Sequence, residues 1–429
     1  MKTSASLSRV VLPVGIGTTL SLIGDVSLYT VLPTHTAVAG VTLASVGILL
    51  SANRWVRLLA NGAAGWLTDR YAKRTIFVTS LFLGAASTVF YAFSVGFWPL
   101  LLGRLLWGIA WAGIWVAGNG IILEAAPIAE RGRWVGRYHI SFFLGAAMGA
   151  ILGGYLTDAI GFHQAMMVAA SLTFTGAVIA LLSVPKELHT AAQIEDTAEH
   201  PIIHSSTSLN PNPQSQIPAN QPIRWGEMVS ATAVLGINRV VIAGIFVPTM
   251  ALYLLAILGE AVILFGREIG VTTLTGLALG STTLLSMIVT PIMGNLSDKV
   301  NNRWQVVATG LVPGILGFGL LALSIPFAIL LGLPLTSVSS SSNQGLSTAL
   351  MGDLGRADRR GRFLGALYTV GDLGSAIGPL LAFALIPVWG ISSLYWLNAI
   401  LFGLLFTVAL YWAQKKKRKM DMIGVVNKP

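Results

Sequence analysis

Long apolar runs separated by short polar breaks fill most of this chain of 429 residues. The runs lie near 9–32, 38–64, 75–93, 97–122, 134–157, 163–184, 239–259, 272–296, 305–323, 326–350, 362–386 and 389–412. A helix that crosses a bilayer needs roughly 20 mostly apolar residues, so each run predicts one crossing. The first run is too long for a signal-peptide core and lacks a small-residue cleavage site before the next, so insertion without cleavage is expected. One break is different: residues 185–224 are rich in Pro, Ser, Asn and Gln and hold too little apolar surface to fold alone. The pattern therefore predicts an all-α membrane protein of twelve transmembrane helices. Its expected parts are a first half of six (1–184), a flexible linker (185–224), a second half of six (225–412) and a basic tail (413–429).

The halves look like copies of one unit. Residues 65–74, GWLTDRYAKR, recur as residues 294–303, GNLSDKVNNR, an offset of 229. The same offset relates RGRWVG at 131–136 to RGRFLG at 360–365, and Glu124 to Asp353. It also relates Gly145 to Gly374 and Gly149 to Gly378; Gly153 and Gly154 continue the first set, and Pro379 stands where the first copy has Ala150. Features sharing one offset imply an internal duplication, hence pseudo-symmetric halves.

Composition agrees: 54% of residues are hydrophobic and 10% charged, which excludes an ordinary soluble domain. With no cysteine and six scattered histidines there is no metal-ligand spacing, and no nucleotide-binding loop is present, so neither metal, cofactor nor enzymatic activity is expected. The net charge of +10 is a matter of topology. Of the 27 lysines and arginines, 23 fall in the N-terminal segment, the even-numbered loops, the start of the seventh span at Arg239, or the tail. Three (Arg54, Arg57, Arg104) lie within spans and Arg267 sits in a loop on the other side. That asymmetry predicts a multi-pass cell-membrane protein with both termini cytoplasmic, in contact with lipid and not nucleic acid.

These motifs resemble the major facilitator superfamily. Its signature between spans two and three is matched by Gly65, Leu67, Asp69, Arg70 and Arg74, and more weakly by Gly294, Leu296, Asp298, Lys299 and Arg303. Arg104 with Gly108 matches its fourth-span pattern, and the fifth-span glycines match its antiporter branches except at Ala150. The resemblance implies two six-helix halves working by alternating access as a monomer, moving a small apolar or amphipathic solute, by export coupled to protons. An anionic or lipid-like substrate is the alternative, favoured by the arginines in the spans. A third is a non-transporting receptor or assembly factor of the same fold.

The residues themselves suggest roles. Asp69 ends a helix at the cytoplasm, where it can meet a helix N-terminus and its loop arginines and act as a latch. Glu124 and Asp353 are candidate acceptors for Arg70 and Arg74, and for Lys299 and Arg303; such pairs are either gate elements or solvated loop pairs contributing under about 1 kcal/mol. The glycines on one face of spans five and eleven serve close packing or a sliding seam between halves. Charges that break the repeat, Asp25, Arg54 and Arg104, are asymmetric additions. Helix rise puts Asp25 and Arg104 at similar depth, so they are the candidate coupling pair or a buried structural pair, with Asp372 the second acid. Arg57 is expected to snorkel to the cytoplasm, and Arg54 to meet Glu124, a lipid headgroup or an anionic substrate. Tyr29, Trp107, Trp111, Asn343, Gln344 and Tyr368 are candidate cavity-lining residues.

Overall fold

In the computed structural model, residues 2–185, 224–264, 266–300, 302–354 and 360–422 are described. The expected linker lies outside them apart from its end residues Pro185 and Arg224. The first half consists of α1 (Lys2–Val31), α2 (Leu43–Arg70), α3 (Lys73–Phe93), α4 (Phe97–Ala125), α5 (Arg131–Ile160) and α6 (Phe162–Ser183). The second begins with α7 (Trp225–Leu258), whose middle, Val240–Phe246, is wound as a π-helix. Then come α8 (Val271–Lys299), α9 (Arg303–Ala322) and α10 (Pro326–Leu354). A final helical run, Arg360–Met422, breaks at Gly390 (φ 74°, ψ 166°) into α11 (360–389) and α12 (391–422).

Ten helical segments are long and apolar enough to cross a membrane. One of them contains the Gly390 break and counts twice, and the serine-rich α10 matches the others in length, so the described residues make twelve passes. Two details depart from the expected layout. A hairpin of β1 (Ala261–Leu264) and β2 (Arg267–Gly270) joins α7 to α8, turning through Gly266 at φ 75°, a conformation glycine adopts without strain. The tail does not start as a separate segment: α12 continues as helix to Met422.

Of the two roles open to the glycines of α5 and α11, most of them take the close-packing one. A Cβ on Gly145 or Gly149 would press on α1 at Thr19 and Leu22, or at Ile23 and Val26, and one on Gly153 would strike Ser27. Gly374 and Gly378 press in the same way on α7, at Gly236 and Gly244. These glycines let α1 touch α5 and α7 touch α11, so most of them hold each half together instead of forming a surface between halves. Gly154, against the Thr272 carbonyl of α8, is the member that meets the other half, and Pro379 meets Gly47 of α2.

The halves meet through α2 with α11 and α5 with α8. At the end away from the α2–α3 loop these pairs are sealed: a Cβ on Gly47 would lie 2.8 Å from the Pro379 carbonyl oxygen, and one on Gly276 would strike the Ala150 carbonyl. At the other end, called the basic end here, Gly65, Gly136, Gly294 and Gly365 of the same four helices have nothing within 4 Å of such a Cβ among the described residues. The two halves thus form a cleft open at the basic end and closed at the far end. Overpacking a close helix contact costs about 1–3 kcal/mol. Gly378→Leu is therefore expected to lower the melting temperature of the purified protein clearly, while Gly365→Leu leaves it nearly unchanged; thermal unfolding in detergent checks both.

Candidate functional site

Where the sealed and open parts of the cleft meet, about halfway along α2, Arg57 reaches across to Asp372 of α11, its Nη2 3.2 Å from Oδ1 and 3.4 Å from Oδ2. Both side chains are about one-fifth exposed, 20% and 23%. Arg57 does not snorkel, because α2 runs on to Arg70 and leaves it mid-helix with a carboxylate in reach. Arg54, one turn away, finds neither Glu124 nor any other carboxylate within ion-pair distance among the described residues. Its Nε donates to the Tyr29 hydroxyl at 3.1 Å and its guanidinium lies 5.4 Å from the Tyr29 ring. A third arginine approaches from the second half. Arg239 leans on Gly371, where a Cβ would sit 3.5 Å from its Cγ, and it feels the attraction of Asp372 and the repulsion of Arg54 and Arg57. Its place differs from the expected juxtamembrane start of the seventh span: α7 begins at Trp225, and Arg239 is about 20 Å along it at about 1.5 Å per residue.

The other acid, Asp25, behaves differently. It accepts from Nη1 of Arg104, which is wholly buried and also donates through Nε to the Leu49 carbonyl at 3.0 Å. Tyr29 roofs the pair, 4.8 Å from the Arg104 guanidinium, and donates to the Leu50 carbonyl at 2.7 Å. All these groups belong to α1, α2 and α4. Asp25 and Arg104 therefore pin the first half together, as the buried structural pair of the two expected readings would, with the Asp25 side chain 12% exposed. Removing one member of such a pair leaves a buried charge unanswered and costs about 3–5 kcal/mol.

At the far end a carboxylate closes the gap between halves. Asp158, near the end of α5, accepts from the Thr273 backbone N–H at 2.7 Å and from its hydroxyl at 2.6 Å, so it caps the N-terminus of α8. A negative charge at a helix N-terminus is stabilised by the exposed N–H groups and the helix dipole. In sequence Asp158 reads as one more solvated loop charge, with Pro387 at the repeat position; only the approach of α8 gives it a partner.

With that geometry in hand, the comparisons with known proteins are decisive for the family. The profile of the Major Facilitator Superfamily matches residues 14–272 and 241–421. The chain belongs to that superfamily. It is 23% identical over 396 residues to an uncharacterized MFS-type transporter of Methanocaldococcus jannaschii, covering 92% of this chain and 95% of the other. It is 32% identical over 126 residues to the class B tetracycline resistance protein of Escherichia coli, 29% of this chain and 31% of that one. Among solved structures it resembles a bacterial homolog of the human lysosomal transporter Spinster in an inward-facing, occupied conformation. The TM-score is 0.71 at 15% identity, over 95% of this chain and 96% of the other.

In this superfamily member the signature charges at the basic end pair within their own halves. Glu124 meets Lys73 at 3.3 Å, not Arg70 or Arg74. Arg70 lies over Trp66 at 4.2 Å, and Arg74 donates to the Val184 carbonyl at 2.7 Å, because α6 ends beside it. Asp69 is exposed, with no hydrogen bond or ion pair among the described residues, so it latches nothing in this conformation. In the second half Arg303 holds Asp298 at 2.9 Å and Asp353 at 2.8 Å, part of the expected pattern; Lys299 has no part in it. Of the expected lining residues, Tyr29, Trp107, Trp111 and Asn343 are buried in the packing of their halves, whereas Gln344 and Tyr368 keep exposed surface. Trp107 and Trp111 belong to a stacked ladder that continues to the half-buried Trp115. Among the described residues no three His, Asp or Glu side chains gather as a metal site requires.

Two outcomes follow from these pairings. Asp25→Asn is expected to lower thermal stability far more than Asp69→Asn, by about 3–5 kcal/mol against less than about 1; melting curves of the two variants compare them. Asp158→Ala removes a cap contributing about 1 kcal/mol and is expected to favour separation at the far end several-fold. Since the chain has no cysteine, a single cysteine in place of the buried Thr272 of α8, a residue of similar size at the same seam, reports that separation by its labelling rate.

Proposed function

We propose that the protein is a proton-coupled secondary transporter that carries a small amphipathic solute by alternating access, with Asp372 as the coupling acid. The observation that carries this reading is the contact of Arg57 with Asp372: among the described residues it is the one ion pair that joins the two halves. It also sits where the cleft begins to open. Protonating Asp372 dissolves that tie, so the proton can bias the relative position of the halves, which is what coupling demands. Asp25 is a poorer choice, because its partner Arg104 is walled into one half and holds that half together.

The excess of basic residues at the open end supports assigning it to the cytoplasm of a cell membrane, with both termini there. On that assignment the cleft faces inward, and the solved structure of similar fold named above is also described as inward-facing. A second reading, export in exchange for protons, is favoured by the similarity to a tetracycline resistance protein and by the α5 glycine spacing.

Purified protein in sealed vesicles, given a pH gradient and a panel of labelled solutes, tests both. Co-transport accumulates solute when the interior is alkaline, exchange when it is acidic. Asp372→Asn is expected to abolish gradient-driven accumulation, at least tenfold, while exchange between equal solute concentrations persists. Gradient-driven accumulation at the normal rate in this variant would overturn the assignment of Asp372.

A further inference from the structure

The arginines of the central site are not balanced by the acids around them. Arg57 of α2 holds Asp372, Arg54 lies one turn from Arg57, and Arg239 of α7 packs on Gly371 beside that aspartate, while Asp25 is already committed to Arg104. A charge within a membrane span costs at least about 2.5–3.5 kcal/mol on insertion scales unless water or a counter-charge meets it. Several donors here are idle as well. The Arg57 Nε is buried without a partner. Arg54 spends only Nε, on Tyr29, and Arg239 makes no hydrogen bond or ion pair among the described residues. Planar guanidinium forks in this setting match the two oxygens of a carboxylate or the several of a phosphate.

We infer that Arg54, Arg57 and Arg239 form a binding site for the anionic group, carboxylate or phosphate, of the solute, and that Asp372 is the anion occupying it in the empty state. The inference rests on the transport reading for the solute's fate, and on geometry alone for its binding. The site draws on both halves, so its occupant touches each side of the moving interface. It also sets the sign of proton linkage. The carboxylate of Asp372 and the solute anion compete for Arg57, so a proton on Asp372 strengthens anion binding, and the anion strengthens proton binding equally. Proton and anion then travel together. Asp372 acts on Arg54 and Arg57 from α2 and on Arg239 from α7, Tyr368 on its own helix acts on Arg239, and Tyr29 and Asp25 of α1 act on Arg54 and Arg57. Sequence alone misses the site because Arg239 looks like a boundary charge.

The test is calorimetric binding of benzoate and phenyl phosphate, with benzyl alcohol as the uncharged control, to the full chain in uncharged detergent. At least one of the two anions is expected to bind, more tightly as the pH falls, and benzyl alcohol at least tenfold more weakly. Arg239→Gln is expected to weaken anion binding tenfold or more, with Arg239→Lys intermediate. Asp372→Asn should tighten it several-fold and remove its pH dependence. Absence of binding by either anion, a folded Arg239→Gln variant of unchanged affinity, or weaker binding in Asp372→Asn would overturn the site. Displacement of phenyl phosphate by phosphatidylglycerol, but not by phosphatidylcholine, assigns the anion to a lipid headgroup; no displacement assigns it to a soluble solute. Arg239-dependent binding without transport in vesicles would defeat the transport reading and leave the site standing. Transport with Arg239-independent binding would do the reverse.

Discussion

An arginine inside a bilayer is tolerated only if something answers its charge, and each one here is answered differently. Arg104 is answered inside one half, by Asp25, a backbone carbonyl and the face of Tyr29. Arg57 is answered across the halves by Asp372. Arg54 has a phenol, and Arg239 only the field of a carboxylate that Arg57 already holds. This gradation, from an ion pair buried within one half to an arginine with no partner of its own among the described residues, runs from the core of the first half into the cleft. It separates charges that build the protein from charges free to act.

The division depends on how the helices pack. Glycines bring α1 against α5 and α7 against α11, making each half a unit whose internal contacts have little slack. Between halves, α2 with α11 and α5 with α8 touch at one end and part at the other. Asp158 on the α8 N-terminus stabilises closure of the far end, and the Arg57 and Asp372 pair lies at the floor of the cleft. The signature loops have no such role in this conformation: Arg70, Arg74 and Arg303 are spent on neighbours in the same half, and Asp69 is exposed.

Much of this was legible in sequence because it rests on period and repetition. Runs of about 20 apolar residues give the crossings, and a shared offset gives the two halves. Depth counting brought Asp25 and Arg104 to one level, and the structure pairs them. What escaped was what lies opposite. Spacing shows that Gly149 and Gly378 share a face with their neighbours, but not that the face meets a helix of the same half. The fourth-span end could offer Glu124 to several cations, and Lys73 is nearest only because α3 starts beside it. Arg239 reads as a boundary charge for a different reason: α7 begins in WGEMVSATAVLGIN, too mixed in polarity to read as a span, so the apolar run starts at the arginine.

On the proposed mechanism, two rigid halves rock about a charged tie that a proton can release. Distances between spin labels placed in pairs across α2 and α11, at the basic end and at the far end, measure it directly in this cysteine-free chain. Two populations are expected, with the basic end short where the far end is long, and acid pH or Asp372→Asn should draw molecules out of the form that is open at the basic end. A single unchanging distance at each end, or the same acid-induced shift in wild type and Asp372→Asn, would contradict it.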